Sequence, residues 1–268
     1  SSVKLGNDIN IDGTSTDEPF IIDSDIVIDG DGNSLALRKS GIVLGGDVTF
    51  KKMNLTFESF VRNAIIANGY SLTMEDVKNG SSGGNFQPVN IDIFCGQLTG
   101  YENNAVKLPP AGKKSEILLM GDLAISNIFA GNFSEKKEAN QSNIPVTITV
   151  KSNKEKAIET ICGFGAVEDR SGSTGGNFTG NSYSGNDKDY PTNSDIKVIL
   201  EGVAQTTVGE ILGKTGSDKG ISVEYKGGEN PKELNLHDIS ELKVTSGTLV
   251  LSSSSNLTDE EMNISIGK

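Results

Sequence analysis

Tryptophan is absent from this 268-residue chain, histidine occurs once (His237), and the arginines are Arg38, Arg62 and Arg170 alone. Without Trp, a platform for stacking sugar rings has to come from Tyr or Phe. Three scattered Arg residues offer no guanidinium fork for a polyuronate. The single histidine lies in LNLHDIS behind Leu234 and Leu236, and reads as a solvent-facing residue rather than a catalytic base. Two cysteines set no disulfide framework. No apolar run approaches the roughly 18 residues of a membrane span, so membrane insertion is not expected. Nor does any segment sustain the i, i+3, i+4, i+7 apolar stripe of an amphipathic helix.

Basic charge is also scarce. Lys and Arg number 24 against 36 Asp and Glu, a net charge of -12. A polyphosphate would be repelled, which excludes nucleic acid as a partner. Hydrophobic residues make up 35% of the chain and glycines number 32, which suits a narrow core with many turns.

What the chain has is repetition. DINIDG at Asp8 is followed by DIVIDG at Asp25, DVTFKK at Asp47 and SLTMED at Ser71. Each is a short period-2 strand, with Ile26 and Ile28, Val48 and Phe50, Leu72 and Met74 on one side. A second series ends in glycine: IFCG at Gly96, IFAG at Gly131, ICG at Gly163 and ILG at Gly213. Each block passes through a polar loop and returns as a strand: EILLMG, VTITVKS, IKVILEG, ISVEYKG. Repeats of roughly 20–25 residues with two or three small strands each are a solenoid signature. Aligned on the glycine, Cys95, Ala130 and Cys162 fall on one row, so the thiols should be free, buried and two rungs apart. The near-identical phrases GSSGGNF (80–86) and GSTGGNF (172–178), with AGNF ending at Phe133, read as corners where glycine supplies positive φ and Phe packs the corner down.

IVIDGDGNSLAL followed by DVTFKKMNLTF resembles the rungs of right-handed parallel β-helix proteins of the pectate-lyase-like group. The glycine-terminated blocks are similar to rungs of β-helical adhesin-type surface proteins of Gram-positive bacteria. The resemblance implies an all-β, right-handed parallel β-helix with long corner loops, forming one domain over 1–268 as part of a longer surface protein. It further implies a secreted or cell-surface location, and a non-catalytic adhesin or binding scaffold, monomeric, meeting an extracellular glycan or a host surface or matrix protein. Polysaccharide lyases and glycoside hydrolases share the scaffold, so a carbohydrate-active enzyme is the alternative.

The residues favour binding over catalysis. The strings NTD, DD, GHG and RIK, by which β-helical galacturonases resemble one another, do not occur. The carboxylates Asp23, Asp25, Asp29 and Asp31 echo half a calcium loop, but Ser40 stands where the bidentate Glu belongs, so DGDGN reads as a turn. FCGQ is similar to the Cys and Gln of thioester-forming adhesins, yet its repeat position is Ala130 in the next block, which makes Cys95 a small core residue. No cofactor, metal or catalytic residue is assigned. The candidate ligand site is the long insertion 172–194, where Phe178, Tyr183 and Tyr190 stand beside Asp187 and Asp189 in a Gly, Ser and Asn background.

Overall fold

The computed structural model describes residues 1–12, 19–38, 41–57, 64–79, 91–99, 106–134, 141–152, 154, 157–169, 177–178, 192–202, 207–213, 219–227, 233–252, 255 and 263–266. Among these every regular element is a strand. They form a twelve-stranded sheet, a nine-stranded sheet and a small four-stranded one, and the chain alternates between the first two. Neighbours in the two large sheets are parallel, each strand pairing with its equivalent one repeat away. The fold is therefore all-β, with sequential parallel stacking of the kind a solenoid makes.

The repeats set the register. In the twelve-stranded sheet one inward row runs Ile26, Val48, Leu72, Ile117, Ile148, Val198, Val223, Leu242. The next runs Ile28, Phe50, Met74, Leu119, Val150, Leu200, Tyr225, Val244. Inward residues of the nine-stranded sheet, among them Ile42, Ile65, Ile93, Ile128, Ile161 and Ile211, join these rows in one core. Each buried Ile or Leu contributes about 1.5–3 kcal/mol, and the strand period of two leaves the alternate residues outside.

The acidic residue that opens the N-terminal repeats has a defined task. Asp25 Oδ1 accepts the Asp47 amide at 2.8 Å, and Asp47 Oδ1 accepts the Ser71 amide at 2.9 Å. Each carboxylate thus satisfies a strand-entry N–H on the next rung, where the ladder has not yet begun. The DGDGN segment is a turn, as its composition implies. Asp31 takes φ 50 and Gly32 φ 89, the Asp29 carboxylate accepts the Asp31 amide at 3.0 Å, and Lys51 and Lys4 reach Asp29 and Asp31 at 3.2 and 2.8 Å.

Candidate functional site

The middle rungs carry lateral arms. The strand Ile91–Phe94 continues into Leu98–Thr99, Ile125–Phe129 into Phe133–Ser134, and Ile158–Cys162 into Ala166–Asp169. These extensions pair in parallel with one another, and Asn177–Phe178 adds antiparallel to Ala166–Asp169. The arms of three successive rungs thus gather in one small sheet. They are rooted on a second core outside the nine-stranded sheet, where Phe94, Phe129, Phe133, Phe164, Leu98 and Cys162 are buried together. Phe94 stacks on Phe129 with ring centroids 4.7 Å apart, and Phe133 lies 5.0 Å from Phe94.

The corner into the arms is closed by backbone contact. A Cβ on Gly131 would lie 2.3 Å from the Gly165 nitrogen, one on Gly165 2.2 Å from the Asn132 carbonyl oxygen, and one on Gly96 2.4 Å from Asn132 Oδ1. That same Asn132 oxygen accepts the Gln97 amide at 2.8 Å. None of these three glycines is at positive φ. The expectation of a positive-φ corner is therefore corrected for AGNF: glycine is needed there for space. Phe133 does pack the corner down, fully buried, so it is no ligand contact. The second phrase is a different object, because its Asn177 and Phe178 form the return strand of a hairpin, opposite Asp169 and Glu168. The first phrase lies outside the described residues.

The register also corrects the thiol alignment. Phe94, Phe129, Cys162 and Leu212 share one row, so Cys162 matches Phe94 and not Cys95. Cys95 belongs to the central core and Cys162 to the second one, across the same sheet. Both are free and buried, and burial pushes both thiols up, Cys162 further through Glu210 and Asp92. A thiol titration in denaturant without reductant should count two groups; a count of zero would contradict this arrangement.

The strands of this sheet also differ in the spacing of their inward residues. Ile91 and Ile93 face the core two residues apart, whereas Ile125 and Ile128, Ile158 and Ile161, Val208 and Ile211 do so three apart. Three stacked strands therefore carry one extra outward residue: Ser126, Glu159 and Gly209. The register shift itself falls between Ile91–Phe94 and Ile125–Phe129, a bulge of the kind that re-aims side chains. A Cβ on Gly209 would lie 2.6 Å from the Glu159 carbonyl oxygen, which accounts for glycine there.

A polar row results on the outer face of the nine-stranded sheet. Asn127, Thr160, Glu210 and Asn235 are in register, with Asp92 on the preceding strand. Asp92 is 8% exposed, and its Oδ1 accepts from Asn127 Nδ2 at 2.8 Å and from the Asn127 amide at 3.1 Å. Ser126 Oγ donates to Glu159 Oε2 at 2.9 Å, and His237 Nε2 lies 3.1 Å from Glu210 Oε1. His237 is thus partly buried beside Glu210, where the sequence reading had it facing solvent. Burial pushes the Asp92 carboxyl up to about 7; the Asn127 bonds pull it down and Glu159 adds to the rise.

Among the residues singled out from sequence, Phe178 is placed in the arm sheet by its backbone pairing. Tyr183, Asp187, Asp189 and Tyr190 lie outside the described residues, as does Phe86. The polar row was missed, and its signal was the extra residue in ISNIF, IETIC and VGEIL relative to IDIF. No family model matches the chain, and neither does a curated protein or a solved structure.

Proposed function

We propose that this chain is a non-catalytic binding scaffold of an extracellular surface, presenting its arms to a glycan or a host surface or matrix protein. The observation that supports it is the gathering of arms from three successive rungs into one sheet on its own phenylalanine-rich base. Such a base holds arms in register without drawing on the central core. In this reading the stacked sheets close into a single right-handed β-helix over the whole chain, the hand that parallel crossovers adopt. The net charge of -12 keeps a monomeric rod soluble and repels nucleic acid. Phe178, Tyr183 and Tyr190 supply aromatic contact area, with Asp187 and Asp189 at the rim. A glycan and matrix-protein binding array tests this. Retention of at least one class is expected, and a blank array would overturn the reading.

A carbohydrate-active enzyme is the second reading, and Asp92 is what favours it. A carboxyl held at about 7 beside a second carboxylate suits a general acid. Chain cleavage by the protein that disappears in Asp92→Asn would establish this reading and displace the first.

A further inference from the structure

We propose that Asp92 is a proton-operated latch at the root of the arms: protonated it holds the second core closed on the sheet, and its ionisation lets the arms open while the central core stays folded. This rests on the reading of the arms as the binding element and adds how their presentation is regulated. Asp92 lies in Ile91–Phe94, the strand that leads into the first arm. Its register partner on the preceding strand is Ala64, and Phe94 stands two residues along on the same face; both belong to the second core. Asp92 is thus at the margin of the packing that roots the arms, and more than nine-tenths buried. The register shift between Ile91–Phe94 and Ile125–Phe129 falls at this residue. Asp92 Oδ1 spans it, accepting from both the amide and the side-chain Nδ2 of Asn127. Two residues beyond, Phe94 stacks on Phe129. One carboxyl therefore bridges the bulge and borders the aromatic stack.

The second core shares no residue with the central one, although both draw on the same strands. The arms can therefore leave the sheet without unpacking the inward rows, as the local opening of one cooperative unit. Asp92 biases that opening. Neutral, it keeps an acceptor oxygen for Asn127 and brings no charge into the apolar margin. Burial, with Glu159 of like sign adding to it, holds the carboxyl at about 7 against the pull of the Asn127 bonds. Opening returns it to water, where an Asp titrates near ~3.9. Opening therefore grows up to about tenfold per pH unit between those two values and is level above the upper one. The flanking strands Ala64–Ile66 and Ile125–Phe129 carry no titratable side chain. Beyond Glu159 the titratable groups are Glu210, 3.1 Å from His237, and the Cys162 thiol of the second core, which burial, Glu210 and Asp92 push up.

The test is amide hydrogen exchange of the whole chain from pH 5 to pH 8, corrected for the intrinsic pH dependence of exchange. It compares the arm strands Leu98–Thr99, Phe133–Ser134 and Ala166–Asp169 with Ser115–Met120 and Val146–Lys151 in the twelve-stranded sheet. In the wild type, arm protection should fall up to about a hundredfold between pH 5 and 7 and then level, with the twelve-stranded sheet unchanged. Asp92→Asn should keep the arms protected at every pH, and Glu159→Gln should end the fall at a lower pH. His237→Gln, which removes the histidine beside Glu210, should leave the wild-type profile. Arm protection independent of pH, a fall that survives in Asp92→Asn or vanishes in His237→Gln, or an equal loss in the twelve-stranded sheet would overturn the latch. Opening that follows pH in a protein that attaches to no array component leaves the latch and overturns the scaffold reading. Attachment with pH-independent arm protection does the reverse.

Discussion

Replacing Phe129 with Ala should lower the unfolding free energy by about 3–5 kcal/mol, the range for truncating a fully buried aromatic. Phe129 is 1% exposed and holds the middle of the second core, stacked on Phe94 and tilted 6.3 Å from Phe164. Truncation removes the ring to which two successive arms are anchored. The cavity cannot collapse, because the corner glycines beside it are already in backbone contact. Urea denaturation of the variant checks this. A loss below about 1 kcal/mol would mean the arms contribute no packed core of their own.

The second large effect is a pH dependence with an unusual sign. The Asp92 carboxyl is raised to about 7 in the folded protein, whereas an unfolded Asp titrates near ~3.9. Between those values the folded state binds the extra proton, so stability falls as pH rises through this window and is level above it. A shift of roughly three units corresponds to at most about 4 kcal/mol. Asp92→Asn should therefore unfold at higher urea than wild type at pH 8.5, with the gap closing towards pH 4. The amide keeps the acceptor for Asn127 but carries no charge to desolvate or to repel Glu159. A gap that stays constant with pH would show that the carboxyl is not raised.

These two effects arise from features that differ in how far the sequence revealed them. The inward rows were legible, because Val48 with Phe50 and Leu72 with Met74 repeat a period of two at a fixed step, and parallel stacking puts them in register. The recurring Asp was legible as a repeat mark, but its hydrogen bond to the next rung was not, since that depends on which amide lies above it. Alignment on the terminal glycine misplaced Cys162 by one residue. The block ICGFG holds two glycines, and the one packed on Gly131 is Gly165. Aligning the isoleucines instead would have exposed the bulge between Ile91–Phe94 and Ile125–Phe129 and, with it, the outward position of Glu159 and Glu210. The second core escaped notice because its members alternate with central-core residues along the same strands. Phe94 and Cys95 are adjacent in sequence and face opposite sides. As for GGNF and AGNF, shared words serve different backbones, a hairpin return and a rung corner.

Whether the arms bind while the stacked sheets only support them is tested most directly by deleting residues 179–190. Attachment of the intact chain and of the deletion variant to the same immobilised glycan or matrix protein would be compared, together with their melting transitions. Attachment should be lost, and the melting transition should move little, because the deletion spares the whole set of residues in both cores. Undiminished attachment by the shortened chain would contradict the account.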